Sequence, residues 1–131
     1  GPSSSDLAFP EGLKIALVED QETLRKLLTN YLHRQSHEVT AARCAEELSR
    51  TSDIQVLITD VGLPGMSGPE LACSWAAENP HLKVVFMSGF PFEVDSPGLD
   101  PGSWVFLPKP FRLGELNQHL SRLLHSSAGP S

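Results

Sequence analysis

The sequence is short of three things, and each shortage excludes a class of function. Cysteine comes first: 131 residues hold two, Cys44 and Cys73, far apart in the chain. Two cysteines make no disulfide framework, so a reducing, cytoplasmic setting is expected. The five histidines, at positions 33, 37, 81, 119 and 125, have no ligand spacing with those cysteines. That argues against a zinc site and leaves them as expected surface residues. Basic charge comes second. The chain has 10 lysines and arginines against 16 aspartates and glutamates, a formal net charge of -6. Binding nucleic acid needs a basic patch that neutralises phosphates, so no nucleic-acid partner is expected. Long apolar runs come third. None approaches the ~18 residues that cross a bilayer. No segment combines a charged start, an apolar middle and a small-residue cleavage site. Neither a membrane contact nor a signal peptide is therefore expected.

What is present suits a single folded domain with a real core. Residues 1–11 read as linker, beginning with a Gly1-Pro2 pair that resembles a scar of tag removal. Residues 12–126 read as the domain and 127–131 as a flexible tail, poor in apolar side chains. Ends of this kind suggest a domain cut from a longer protein.

Four apolar runs predict buried strands: Lys14–Val18, Gln55–Thr59, Lys83–Met87 and Trp104–Leu107. Each is short, nearly continuous in hydrophobicity and rich in branched or aromatic residues, as strands covered on both faces are. Glu38–Ala42 is a weaker candidate for an edge strand. Between the runs, apolar residues recur at helical steps. Leu24, Leu27, Leu28, Tyr31 and Leu32 predict a helix after Gln21, and Leu71, Ala72, Trp75 and Ala76 predict one over Gly68–Glu78. Cys44–Thr51 suits a short helix. Leu113, Leu116, Leu120, Leu123 and Leu124 form a stripe on a last helix ending near Ser126. Alternating strands and helices imply right-handed crossovers and an α/β fold, a doubly wound parallel sheet of five strands. The segment from Gly89 to Ser103 carries three prolines and leaves room for only a shortened or irregular fourth helix.

In such sheets the chemistry gathers beyond the carboxyl ends of the strands. With Glu38–Ala42 counted as the second of five strands, Glu19 and Asp20 follow the first, Asp60 the third and Ser88 the fourth, and Lys109 comes after the fifth and Pro108. Three carboxylates, a hydroxyl and an ammonium would meet at one edge. Crowded carboxylates need a cation, and an oxygen-only cluster suits Mg²⁺. Aspartate is a competent nucleophile for phosphoryl transfer, a reaction that needs mostly positioning and charge neutralisation.

Glu19-Asp20, then Asp60 with Leu63-Pro64-Gly65-Met66-Ser67-Gly68, then Ser88-Gly89, then Lys109-Pro110-Phe111 resembles the receiver domains of response regulators and hybrid histidine kinases. The likeness spans residues 13–125. The stretches Phe86–Phe90 and Leu99–Gly102 look most like receivers attached to hybrid sensor histidine kinases. The resemblance implies a flavodoxin-like receiver fold with strand order 2-1-3-4-5. It implies a role in two-component, phosphorelay signal transduction rather than an enzyme activity beyond self-catalysed phosphorylation. Asp60 then matches the phosphoacceptor, taking its phosphoryl group from a histidine kinase or a histidine phosphotransfer domain. Glu19, Asp20, Asp60 and the backbone carbonyl of Gly62 match the Mg²⁺ ligands, Glu19 acting through water. Ser88 and Lys109 match the contacts to the phosphoryl oxygens, and Phe106 matches an aromatic switch. The Lys109–Pro110 bond matches one that is usually cis, and a homodimer is an open possibility. Two other readings compete. One is a pseudo-receiver that binds partners without being phosphorylated. The other is a phosphatase of the haloacid dehalogenase type, against which stand Gly62, where a second aspartate belongs, and the absence of room for a cap domain.

Overall fold

The computed structural model describes residues 12–48, 53–63, 65–89 and 99–127. Five strands form one sheet: β1 (Lys14–Val18), β2 (Glu38–Ala42), β3 (Val56–Asp60), β4 (Lys83–Ser88) and β5 (Trp104–Pro108). They run parallel in the order β2-β1-β3-β4-β5. Among the described residues, three α-helices connect or follow them: α1 (Glu22–Arg34), α2 (Gly68–Glu78) and α3 (Leu113–Ser127).

Side chains of the central strands alternate between two cores. Ile15 and Leu17 of β1 join Ile58, Val85 and Met87 against Leu28 and Leu32 of α1 and Leu116, Leu120 and Leu123 of α3. Ala16 and Val18 join Leu57, Val84 and Phe86 against Leu71, Ala72 and Trp75 of α2. Both faces of the sheet are thus covered, which is why the strands read as unbroken apolar runs. Burying one such aliphatic or aromatic side chain contributes about 1.5–3 kcal/mol. The Phe86 and Trp104 rings meet edge to face, with centroids 6.0 Å apart.

The leucine stripe of α3 does what its spacing predicts, with Leu116, Leu120 and Leu123 buried and Leu113 and Leu124 partly so. Helix α2 starts on a capping box: Glu70 N–H donates to Ser67 Oγ and Ser67 N–H donates to Glu70 Oε1. It stops at Asn79, whose side-chain amide donates to the Ile54 carbonyl at 2.8 Å.

Some expectations shift. The third strand runs Val56–Asp60 rather than Gln55–Thr59, so Asp60 is its last residue. The short helix expected over Cys44–Thr51 is instead a single 3₁₀ turn, Ala45–Glu47, with extended backbone at Cys44 and Leu48. Ala45 and Leu48 are too few apolar side chains to seat a helix, and Glu47 is drawn back to Arg43. It accepts the Arg43 N–H at 2.8 Å and the guanidinium at 2.7 Å. The remainder of that span, residues 49–51, lies outside the described residues, as does 90–98, where the fourth helix was in question. The chain enters β5 from a 3₁₀ turn, Pro101–Ser103. His37 is a buried residue rather than a surface one: its Nδ1 accepts the Leu13 N–H at 3.2 Å.

Candidate functional site

The parallel sheet brings the ends of β1, β3, β4 and β5 to one edge, and the loops there carry the charged residues. Glu19 directly follows β1 and is fully buried, whereas its neighbour Asp20 is exposed. Asp60 closes β3 and is half-buried. Lys109 is the first residue after β5, and its peptide bond to Pro110 is cis.

One contact ties three strands together. The Lys109 ammonium lies 2.9 Å from Asp60 Oδ2 and 3.0 Å from Glu19 Oε1. Carboxylate oxygens of Glu19, Asp20 and Asp60 all come within 4.8 Å of one another. Burial pushes the Glu19 pKa above its usual value; the Gln21 N–H and Lys109 work against that, while the Asp60 charge adds to it. For Lys109, burial disfavours the charge, but hydrogen bonds and attraction from Asp60 and Glu19 more than offset it, and its pKa lies above the ordinary lysine value. The ammonium is therefore the cation that lets two acids sit side by side.

The loop after β3 is built to pass close. Gly68 N–H donates to the Val61 carbonyl at 3.0 Å, and a Cβ at Gly68 would run into the Asp60 carbonyl. Only glycine allows that approach. Gly65 sits at φ +78°, a second position that favours glycine. Gly62 N–H faces Asp60 Oδ1 at 3.4 Å. The Thr59 hydroxyl donates to the Asp60 carbonyl at 2.9 Å.

Ser88 ends β4 as a buried residue, and its carbonyl accepts the Lys109 N–H at 2.8 Å, which ties the ends of β4 and β5. Phe106 pairs with Phe86 across β4 and β5 and is half-buried against the α2 core. Of the seven residues singled out from the sequence, Glu19, Asp20, Asp60, Gly62, Ser88 and Lys109 lie on these strand ends or the loops that leave them, and Phe106 is the middle residue of β5. The sequence reading passed over Arg25, Thr59 and the Gln21 amide. Arg25 and Thr59 look like an ordinary helix surface residue and an ordinary strand residue, and a backbone amide leaves no mark in a sequence.

The oxygen donors fit a divalent cation such as Mg²⁺. They are carboxylates alone, without nitrogen or sulfur, and Asp20 is exposed where water could complete a coordination shell. A cleft of about 630 Å³ opens beside Lys109, lined by Leu24 and Leu27 of α1 together with Pro110, Phe111 and Leu113. Leu27 is exposed there despite its size. Among the described residues, no helix is long and apolar enough to cross a membrane.

The profile of the response regulator receiver domain matches residues 15–121. The two-component response regulator PhoP of Pseudomonas aeruginosa is 34% identical over 121 residues, covering 89% of this chain and 54% of that protein. The response regulator receiver protein CpdR of Brucella abortus is 31% identical over 115 residues, covering 85% of this chain and 96% of that one. The chain thus spans about half of the first relative and nearly all of the second. Among solved structures, the signal receiver domain of an HD domain-containing protein from Pseudomonas fluorescens superposes with a TM-score of 0.76. At 22% identity, the match covers 91% of this chain and 100% of that one.

Proposed function

Since this chain belongs to the response regulator receiver domain family, we propose that Asp60 accepts a phosphoryl group from a phosphohistidine of a histidine kinase or histidine phosphotransfer domain, with Mg²⁺ bound. The observation that carries the proposal is the Lys109 ammonium, held 2.9 Å from Asp60 and 3.0 Å from the buried Glu19. It places a fixed positive charge where a phosphoryl group on Asp60 would add negative charge.

An Asp60 carboxylate oxygen attacks phosphorus. The P–O bond forms as the P–N bond to the donor imidazole breaks, and the bonding pair leaves with the histidine nitrogen. No residue needs to act as a separate base, because a carboxylate nucleophile has no proton to give up. Lys109 pairs with the transferred group, and the Ser88 hydroxyl donates to one of its oxygens. Asp20, Asp60, the Gly62 carbonyl and, through water, Glu19 would hold Mg²⁺, which supplies neutralisation of the phosphoryl charge when bound.

The apolar cleft along α1, ending at Lys109, suits an apolar helix face of the donor, with the reacting histidine at the rim. Afterwards Ser88 draws toward the phosphoryl group and Phe106 turns further into the α2 core, which alters the β5 surface. The domain acts in the cytoplasm and works as a signalling module rather than as an enzyme turning over a pool of substrate.

The test is intact-mass spectrometry after treatment with acetyl phosphate. A gain of one phosphoryl mass that needs Mg²⁺ is expected in the wild type and not in Asp60→Asn. An unchanged gain in Asp60→Asn would remove Asp60 from its role, and no gain in either protein would favour the pseudo-receiver.

A further inference from the structure

Every polar group of Glu19 has a partner, and each partner comes from a different place. Its N–H donates to the Ala42 carbonyl at 3.0 Å. Its Oε2 accepts the Gln21 N–H at 3.0 Å, and its Oε1 faces Lys109 at 3.0 Å. Its carbonyl accepts Arg25 Nη1 at 2.9 Å. The first three partners are two backbone groups and a residue of the site itself. The fourth is a half-buried arginine on α1, six residues along the chain, which the reading above gives no task.

That arginine has work to do because the start of α1 is otherwise weakly held. Gln21 stands at the N-cap with no side-chain cap bond, and the helix relies on the Arg25 N–H to Gln21 carbonyl bond at 2.9 Å. An N-cap without a side-chain acceptor frays readily. Asp20, the exposed ligand candidate, lies between Glu19 and Gln21. Its direction is set by the peptide on either side of it: the Arg25 guanidinium holds the Glu19–Asp20 peptide by the Glu19 carbonyl, and the Asp20–Gln21 peptide is held by the Gln21 N–H on Glu19 Oε2.

We infer that Arg25 is a positioning residue for the cation site, one that presents Asp20 by clamping the Glu19 carbonyl. The inference rests on the reading of the acidic cluster as a Mg²⁺ site. The sign of its effect separates it from simple electrostatics. A positive side chain near a divalent cation repels it, so removing Arg25 as a mere charge would tighten binding. Removing it as a clamp loosens the loop and weakens binding.

The experiment is calorimetric titration of metal-free protein with MgCl₂ for wild type, Arg25→Met and Arg25→Lys. Thermal unfolding without metal and amide hydrogen exchange at Gln21 are measured alongside. Methionine keeps the length of the stem, and lysine keeps a donor. Losing one charge-assisted hydrogen bond should weaken Mg²⁺ binding roughly tenfold in Arg25→Met. Lysine should recover part of that loss, and exchange at Gln21 should quicken in Arg25→Met only. Equal or tighter Mg²⁺ binding in Arg25→Met, with normal binding in the wild type, would overturn the inference and leave the metal site intact. Absence of binding in the wild type would instead remove the metal reading and the inference with it. If Arg25→Met does not fold, Arg25→Lys decides: its shorter reach cannot put a donor where Arg25 Nη1 meets the Glu19 carbonyl equally well, so wild-type affinity there counts against the clamp.

Discussion

Replacing Lys109 by methionine would test whether the ammonium holds the unloaded site together. Methionine keeps most of the side-chain volume and removes the charge. What remains is Glu19, fully buried, beside Asp60, with the Gln21 N–H as the remaining hydrogen bond on the Glu19 carboxylate. Breaking a buried ion pair by deleting one partner costs about 3–5 kcal/mol. The Lys109 side chain keeps 19% of its exposure, so screening by water places this case at the low end, about 3 kcal/mol. For a domain of this size that lowers the thermal midpoint by roughly 10 °C. The loss should also depend on pH. The Glu19 pKa is already raised from 4.5 in the folded protein, and Lys109 is one of the groups holding it down. Without the ammonium it rises further. A carboxyl with a higher pKa folded than unfolded stabilises the fold while protonated, and that stability is lost as pH climbs from the unfolded pKa through the folded one. Urea unfolding in EDTA should therefore show a larger deficit at about pH 7 than at about pH 5. Added Mg²⁺ should return part of it. A deficit below about 0.5 kcal/mol, or one of equal size at both pH values, would refute the argument.

Two further substitutions follow from the geometry around Asp60. Gly68→Ala puts a methyl group into the Asp60 carbonyl, so the loop must move; a loss of about 2 kcal/mol in urea unfolding is expected, together with slower phosphoryl uptake by the mass assay. Ser67→Ala removes the acceptor of the α2 capping box and should cost about 1 kcal/mol while leaving phosphoryl uptake near the wild-type rate, which separates the helix start from the site.

Most of the sheet is readable because β1, β3 and β4 are covered on both faces. Lys14–Val18 and Trp104–Leu107 need no alternation to be recognised, and the apolar runs ended where the charged residues began. The strand carrying Asp60 was misplaced by one residue, since Gln55 and Thr59 at its ends are both tolerated in extended chain. The 3₁₀ turn after β2 was not readable. Its form depends on Glu47 reaching back to Arg43 and on a short apolar complement, and composition alone cannot weigh these against helix propensity. Asp60, Lys109 and Glu19, which meet at one contact, stand out in the sequence because residue type and position after a strand coincide. Arg25 was missed because its partner is a carbonyl, and a guanidinium aimed at backbone has no signature in the order of residues. His37 was taken for a surface residue on similar grounds: a histidine that seals a strand start by accepting an N–H looks like any other histidine.

The three residues that meet at the ammonium sit on chain segments that depart in different directions. The segment after Glu19 leads into α1 and the one after Lys109 into α3, both under the same face of the sheet, whereas the segment after Asp60 leads into α2 under the opposite face. The charge cluster is thus a junction between the two layers. On the proposal that Asp60 takes a phosphoryl group, thermodynamic reciprocity requires that a protein which grips either layer and prefers one arrangement of the junction shift the free energy of that modification by as much as the modification shifts its grip. A listener bound to the outer surface is therefore also a voice in the chemistry, whether it holds α2 or the α1–α3 side, and neither layer is a passive wall.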